Sequence, residues 1–385
     1  MTAKQRVHAA LKREPVDRIP IFMWFHPDTA MRLANLLEIP ARFVAAALGD
    51  DVRQTWVGNN YAMEGIVHQH DGETHVDDWG IEWIKRGPFN QIKTYPLSNA
   101  TREEIRRYQF PHDKINVLLE NMAPIMAEAD KFFIGCDVSP CLFEMICRLR
   151  GMENAIIDLA DDLEISNILM GKSAAFAIEL SEKACHQFKL DWLWTGDDVA
   201  GQLAMIMSPQ CWRELIRPHL EKIFAVGKSN GLWIAYHSCG AVRPIIPDLI
   251  DMGVDVLNPI QCNCPGMDPI ELKKDFGKEL AFMGGVDTVD VLPNGSVDDV
   301  RRETAKLIEG MTVDGGGFIL AASHTVPPET PIENIFAMYE VAGVSRTEIF
   351  DRAATLREKM NKLQKTNENK FQHSKQKIPN RQRSA

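Results

Sequence analysis

His237 and Cys239 stand one residue apart at the end of an apolar run, Leu232-Trp-Ile-Ala-Tyr236. If that run is a strand, alternate side chains point to one side, and the pair offers an imidazole and a thiolate together, a soft combination suited to zinc. For an isolated pair of this kind, a buried thiol beside a hydrogen-bonded histidine is the plainer alternative. A zinc site needs a third protein ligand, and a catalytic one also keeps a position open for substrate. His324, just after the run Gly317-Phe-Ile-Leu-Ala321, is the first candidate. Cys262 and Cys264, one loop after the pair, form a C-x-C that can also supply it.

Other polar residues follow apolar runs in the same way. Asp197 and Asp198 follow the run Trp192-Leu-Trp194, and two carboxylates there cannot both be buried without a partner or a raised pKa. One of them can face a cavity and meet substrate while the other caps a loop or helix. Asp287 after Gly284-Gly285 has the same two readings, although the glycines allow close approach of a ligand to the backbone. Asn258 and Gln261 end another run and are expected to bind substrate. Trp24, with Met23 and Phe25, makes an apolar entrance and is expected to bind substrate.

The elements that must hold these residues are legible as alternating runs. Short apolar segments, Arg18-Ile-Pro-Ile-Phe-Met-Trp24, Lys131–Gly135, Leu190–Thr195, Leu232–Tyr236, Val254–Asn258, Leu280–Met283 and Gly317–Ala321, read as strands. Between the later ones lie amphipathic stretches of helical spacing, including Pro209–Lys228, Val242–Met252, Pro269–Phe276, Val297–Gly310 and Pro331–Val341. Thr2 caps a first helix ahead of the first strand. Strands this apolar, each followed by one helix, belong in a parallel sheet covered on both faces. The length suits an α/β fold of one (β/α)8 TIM barrel with an N-terminal helical extension. No glycine-rich phosphate fingerprint follows the first strand, which argues against a dinucleotide-binding sheet. In such a barrel the functional groups sit where strands run into their following loops, which is where all of the residues above fall.

Composition narrows the function classes. The chain has 385 residues, 45% hydrophobic and 25% charged, with a net charge of −10. That acidity argues against general affinity for nucleic acid. No apolar run approaches the ~20 residues that span a bilayer, and the N-terminus has no signal-peptide core, so a cytoplasmic protein without a membrane anchor is expected. Eight unevenly spaced cysteines read as reduced thiols. From Lys359 onward there are eight Lys or Arg against one acid, Glu368. The expected division is therefore a barrel over residues 1–358 and a basic, disordered tail over 359–385.

Several of these segments together resemble the uroporphyrinogen decarboxylase superfamily, from about Thr2 to Arg352. The opening MTAKQRVHAALKREPVDRIP is similar to its first helix and strand, and Gly49-Asp50-Asp51, Leu149-Arg-Gly151, Ser208-Pro209, His237-Ser-Cys-Gly240 and Gly284-Gly-Val-Asp287 fall in its order. The stretch Ile319-Leu-Ala-Ala-Ser-His-Thr-Val-Pro-Pro-Glu-Thr-Pro331 resembles its last barrel loop. The resemblance implies a single (β/α)8 barrel and one of two chemistries. The decarboxylases carry an arginine-rich segment after the first strand and a histidine in the last loop. Here Ile21–Arg32 lacks the arginine pair, while His324 matches the histidine. The zinc-dependent cobamide methyltransferases carry a His-x-Cys pair and a later cysteine as zinc ligands, which His237 and Cys239 match, with His324 at the cysteine's place. This branch implies zinc, a corrinoid on a partner protein, and methyl transfer between a small methylated substrate or thiol and that corrinoid. The alternative is a metal-free lyase acting on a carboxylated substrate, with Asp197 or Asp198 and His324 moving the proton.

Overall fold

The computed structural model describes residues 1–59, 70–87 and 89–376. Seven strands form one parallel sheet in chain order: β1 (Val52–Trp56), β5 (Phe133–Asp137), β6 (Trp192–Gly196), β7 (Trp233–His237), β8 (Val256–Asn258), β9 (Ala281–Val286) and β10 (Phe318–Ala322). The segment through Ile21 and Phe25 joins its two edges. It makes parallel bridges from Ile21 to Leu320 and from Phe25 to Val326, and the Ile21 carbonyl accepts a bond of 2.8 Å from Asp51 N, one residue before β1. Seven strands and this bridging segment thereby surround the bore, in keeping with a (β/α)8 barrel fold.

Two features differ from the apolar-run reading. The stave β1 does not read as an apolar run, because Val52-Arg-Gln-Thr-Trp56 turns Gln54 toward the bore. There Gln54 accepts from Trp192 Nε1 at 2.8 Å and donates to Asp137 Oδ2 at 3.2 Å. A separate antiparallel sheet also lies between β1 and β5, formed by β2 (Thr74–Val76), β3 (Glu82–Arg86) and β4 (Phe89–Thr94).

The period of two along each stave divides the core. Phe22, Phe133, Trp192, Trp194, Ala235, Val256, Ala281, Met283, Ile319 and Ala321 pack together inside the barrel. Their neighbours in sequence, such as Leu193, Ile234, Leu257 and Phe282, face the helices outside. Two indoles fit beside each other in the bore only because small residues stand around them. A Cβ at Gly135 would lie 2.1 Å from Trp192 Nε1.

The closed end is the N-terminal one. The helix Ala3–Leu11, capped by Thr2 with Gln5 in a reciprocal box, inserts Val7 and Leu11 into the bore cluster. Arg6 and Arg18 both pair with the buried Asp51, at 2.5 and 2.8 Å, and Tyr339 donates to the buried Asp50 at 2.6 Å. Gly49-Asp50-Asp51 is thus a structural knot at the base, away from the strand ends. The last helix runs from Arg346 to Gln376, and residues 377–385 of the basic tail lie outside the described residues. Among the described residues no helix is long and apolar enough to cross a membrane, and all eight cysteines are free thiols.

Candidate functional site

His237 is the last residue of β7, in register with Gly196 at the end of β6 and Asn258 at the end of β8. Its Nδ1 lies 2.7 Å from Asn258 Oδ1, which turns Nε2 toward Cys239 Sγ at 3.5 Å and Asp198 Oδ1 at 3.7 Å. The ligand-type atoms of Asp198, His237 and Cys239 all lie within 4.8 Å of one another, the one such group of three among the described residues. Two backbone bonds hold the turn that presents the thiol. Cys239 N donates to Asp198 Oδ1 at 2.8 Å, and Gly240 N to Gln261 Oε1 at 2.6 Å. Gly240 has φ +87°, and a Cβ there would lie 2.5 Å from Gly201 O, so the turn needs glycine.

The neighbouring aspartates have separated roles. Asp197 is wholly buried and accepts from Glu144 N at 2.7 Å, at the start of the helix Phe143–Arg150. Burial pushes its carboxyl up to about 8. Asp198 has a side chain 40% exposed and faces the imidazole. Burial first, then the charges of Asp198 and Glu144, push the Cys239 thiol well above its usual range. A cation seated on these atoms would reverse that balance and favour the thiolate.

Substitution should separate the two aspartates. Asp197→Ala removes a buried acceptor from a helix start and is expected to cost about 1–2 kcal/mol of stability. Asp198→Asn keeps an acceptor for Cys239 N and should alter stability by less than about 0.5 kcal/mol while lowering activity. Urea unfolding and turnover measured on both variants check this, and the reverse pattern would contradict the assignment.

An indole wall flanks the three ligand atoms. The Trp24 ring lies 5.5 Å from His237, 5.6 Å from Trp56 and 5.6 Å from Trp194. His324 lies at the rim, outside the group of three. It lines a small cavity with Trp24, Asn258 and Met283, and desolvation, then the His237 ring, lower its pKa while Asp198 opposes. Asn258 and Gln261, expected to meet substrate, bond to His237 and to the Cys239-Gly240 turn. Asp287 Oδ1 accepts from Val289 N at 2.7 Å and Asn263 Nδ2 at 3.0 Å, tying its own loop. Cys262 donates to Asn263 and Cys264 to Gln261, and neither thiol joins the three ligand atoms.

Two carboxyl groups near the mouth went unread in the sequence. Asp137 ends β5 inside the bore, wholly buried, bonded by Ser139 and Gln54 and pushed by burial up to about 8. The alternation Gly135, Asp137 along an inward-facing register was the available signal. Glu144, bound by Arg148 at 2.5 Å, feels both Asp198 and His237, and burial raises its pKa. It sits in a helix that reads as plain core.

Residues 81–343 match the family model described as uroporphyrinogen decarboxylase (URO-D). Over 358 residues the chain is 25% identical to methylcobamide:CoM methyltransferase MtaA of Methanosarcina barkeri, spanning 88% of this chain and 96% of that protein. It is 26% identical to uroporphyrinogen decarboxylase of Thermus thermophilus over 140 residues, 35% of this chain and 37% of that one. Among solved structures, a methyltransferase from Methanosarcina mazei superposes with a TM-score of 0.64 at 20% identity, covering 89% of this chain and 98% of that chain, which supports the fold.

Proposed function

The chain belongs to the uroporphyrinogen decarboxylase family, and we propose that within it the protein is a zinc-dependent methyltransferase, moving a methyl group between a small methylated substrate or thiol and a corrinoid (cobamide) carried by a partner protein. The observation that carries this reading is the convergence of His237 Nε2, Cys239 Sγ and Asp198 Oδ1 at the strand ends. The similarity to a methylcobamide:CoM methyltransferase over 88% of the chain, against 35% for a decarboxylase, points the same way. A decarboxylase reading would need cations for its carboxylated substrate after the first stave. The arginine in that segment, Arg32, is instead spent on the last loop, donating to Pro328 O and Thr330 O at 2.5 and 3.1 Å.

A nitrogen, sulfur and carboxylate set suits zinc, a borderline cation that takes all three donors. His237 and Cys239 would hold it, with Asp198 within reach and His324 as the further ligand from the last loop. Bound there, zinc supplies a Lewis acid for the charge that develops on the methyl-bearing heteroatom or the accepting thiol. The protein's own groups do the rest. Asn258 orients His237, Asp198 and Gln261 hold the Cys239 turn, and Trp24, Trp56 and Trp194 exclude water beside the reacting group. The carboxyl groups of Asp137 and Glu144 stand close by, while the guanidinium of Arg148 is bound to Glu144 and Asn59. With the charge of both carboxyl groups suppressed by burial and the guanidinium already paired, that set suits an uncharged small methyl donor better than an anionic one. Such reduced-thiol chemistry fits the cytoplasm.

The test is spectroscopic. Reduced cobalamin is mixed with the protein and a panel of methyl ethers and methylamines, and its conversion to methylcobalamin is followed by absorbance. Turnover with at least one donor, or demethylation of methylcobalamin by a thiol, is expected. Inactivity in both directions with zinc-loaded protein would contradict the proposal.

A further inference from the structure

We propose that Asn258 is a positioning residue that fixes which nitrogen of His237 is left free to bind a metal, and that the backbone of β9 in turn fixes Asn258. Met283 O is a carbonyl and can only accept; Asn258 Nδ2 lies 3.3 Å from it. The amide nitrogen must face Met283, since turning the amide over would set two acceptors against each other. Asn258 Oδ1 is then the atom 2.7 Å from His237 Nδ1. That oxygen has no hydrogen to give, so Nδ1 carries the proton of the neutral imidazole. Nε2 is left with its lone pair, aimed at Cys239 Sγ and Asp198 Oδ1.

The origin of this relay is rigid. Met283 O also accepts from Ile260 N at 3.2 Å, so the carbonyl is anchored to the segment after Asn258. The approach depends on Gly284, which has φ +132° and where a Cβ would lie 2.4 Å from Ile260 N. Asn258 is 2% exposed, so water does not compete for either end of its amide. With both ends engaged, its work is to hold His237 and not to bind substrate.

The proposal rests on the zinc reading for its consequence, but its geometry can be tested without metal. Ring nitrogen NMR on metal-free protein with labelled histidine should show His237 in the Nδ1–H form, and Asn258→Leu should lose that preference. In competition with a chelating dye, Asn258→Leu should bind zinc about 10–100-fold more weakly. Asn258→Asp, which keeps an acceptor for Nδ1–H but loses the donor to Met283 O, should recover part of that affinity. An Nε2–H form in the wild type would overturn the proposal, as would a folded Asn258→Leu variant with unchanged tautomer and zinc affinity. If Asn258→Leu does not fold, the wild-type spectrum and the Asn258→Asp variant decide. An Nδ1–H wild type that binds no zinc would sink the metal reading and leave the relay standing.

Discussion

Replacing Cys239 with alanine is expected to lower zinc affinity by more than about 100-fold and to abolish methyl transfer while leaving the barrel folded. The size of the effect follows from the ligand's type. Removing a residue that merely orients a ligand costs about 10–100-fold in metal affinity, and in the proposed site Cys239 supplies the donor atom itself. Its thiol is the one sulfur among the three converging ligand atoms. Without it the proposed site keeps the imidazoles and a carboxylate but loses its one thiolate donor. Stability should change little, because Cys239 lies in a rim turn held by backbone bonds from Cys239 N and Gly240 N that the substitution leaves in place. Elemental analysis and circular dichroism on the same preparation check both halves. A folded Cys239→Ala protein with full zinc content or full activity would contradict the assignment.

Trp194→Ala should be the most damaging single change to the scaffold, costing about 3–5 kcal/mol. The side chain is wholly buried in the bore, with ring centroids 5.3 Å from Trp192 and 5.6 Å from Trp24. Its neighbours there, Ala235, Ala281 and Ala321, sit on stiff strands and cannot extend to fill the space. The indole also lies 6.2 Å from the His237 ring, so the hole opens beneath the ligands. Urea unfolding measures the cost, and a loss below about 1 kcal/mol would mean that the bore relaxes freely. Together the two variants separate the site from its support. Cys239→Ala removes zinc from a stable barrel, whereas Trp194→Ala weakens a barrel that keeps its ligands.

Much of the fold is legible in the sequence. Staves buried on both faces must be apolar, so Leu232–Tyr236 and Gly317–Ala321 announced themselves, and the rule that function gathers at strand ends led directly to His237 and Cys239. The stave Val52–Trp56 escaped for a physical reason: Gln54 faces a polar part of the bore, bonding Trp192 and Asp137, and breaks the apolar run. Its end carries Trp56, so part of the indole wall was lost with it. Asp137 escaped because the apolar run stopped at Gly135, two residues short of the mouth. The sequence allows one of Asp197 and Asp198 to cap and the other to face the cavity, but which does which depends on the helix Phe143–Arg150 starting beside Asp197. Asn258 reads from the sequence as a strand-end residue, but its engagement with His237 depends on the register between β7 and β8.

The central claim is that zinc on His237 and Cys239 is required for methyl transfer. The most direct measurement is transfer from methylcobalamin to a thiol, assayed on the purified protein, after removal of metal by chelator, and after zinc is returned. The account predicts about one zinc per chain, a fall in rate of more than about 100-fold on removal, and recovery when zinc is restored. Undiminished transfer by protein shown to be free of metal would contradict it.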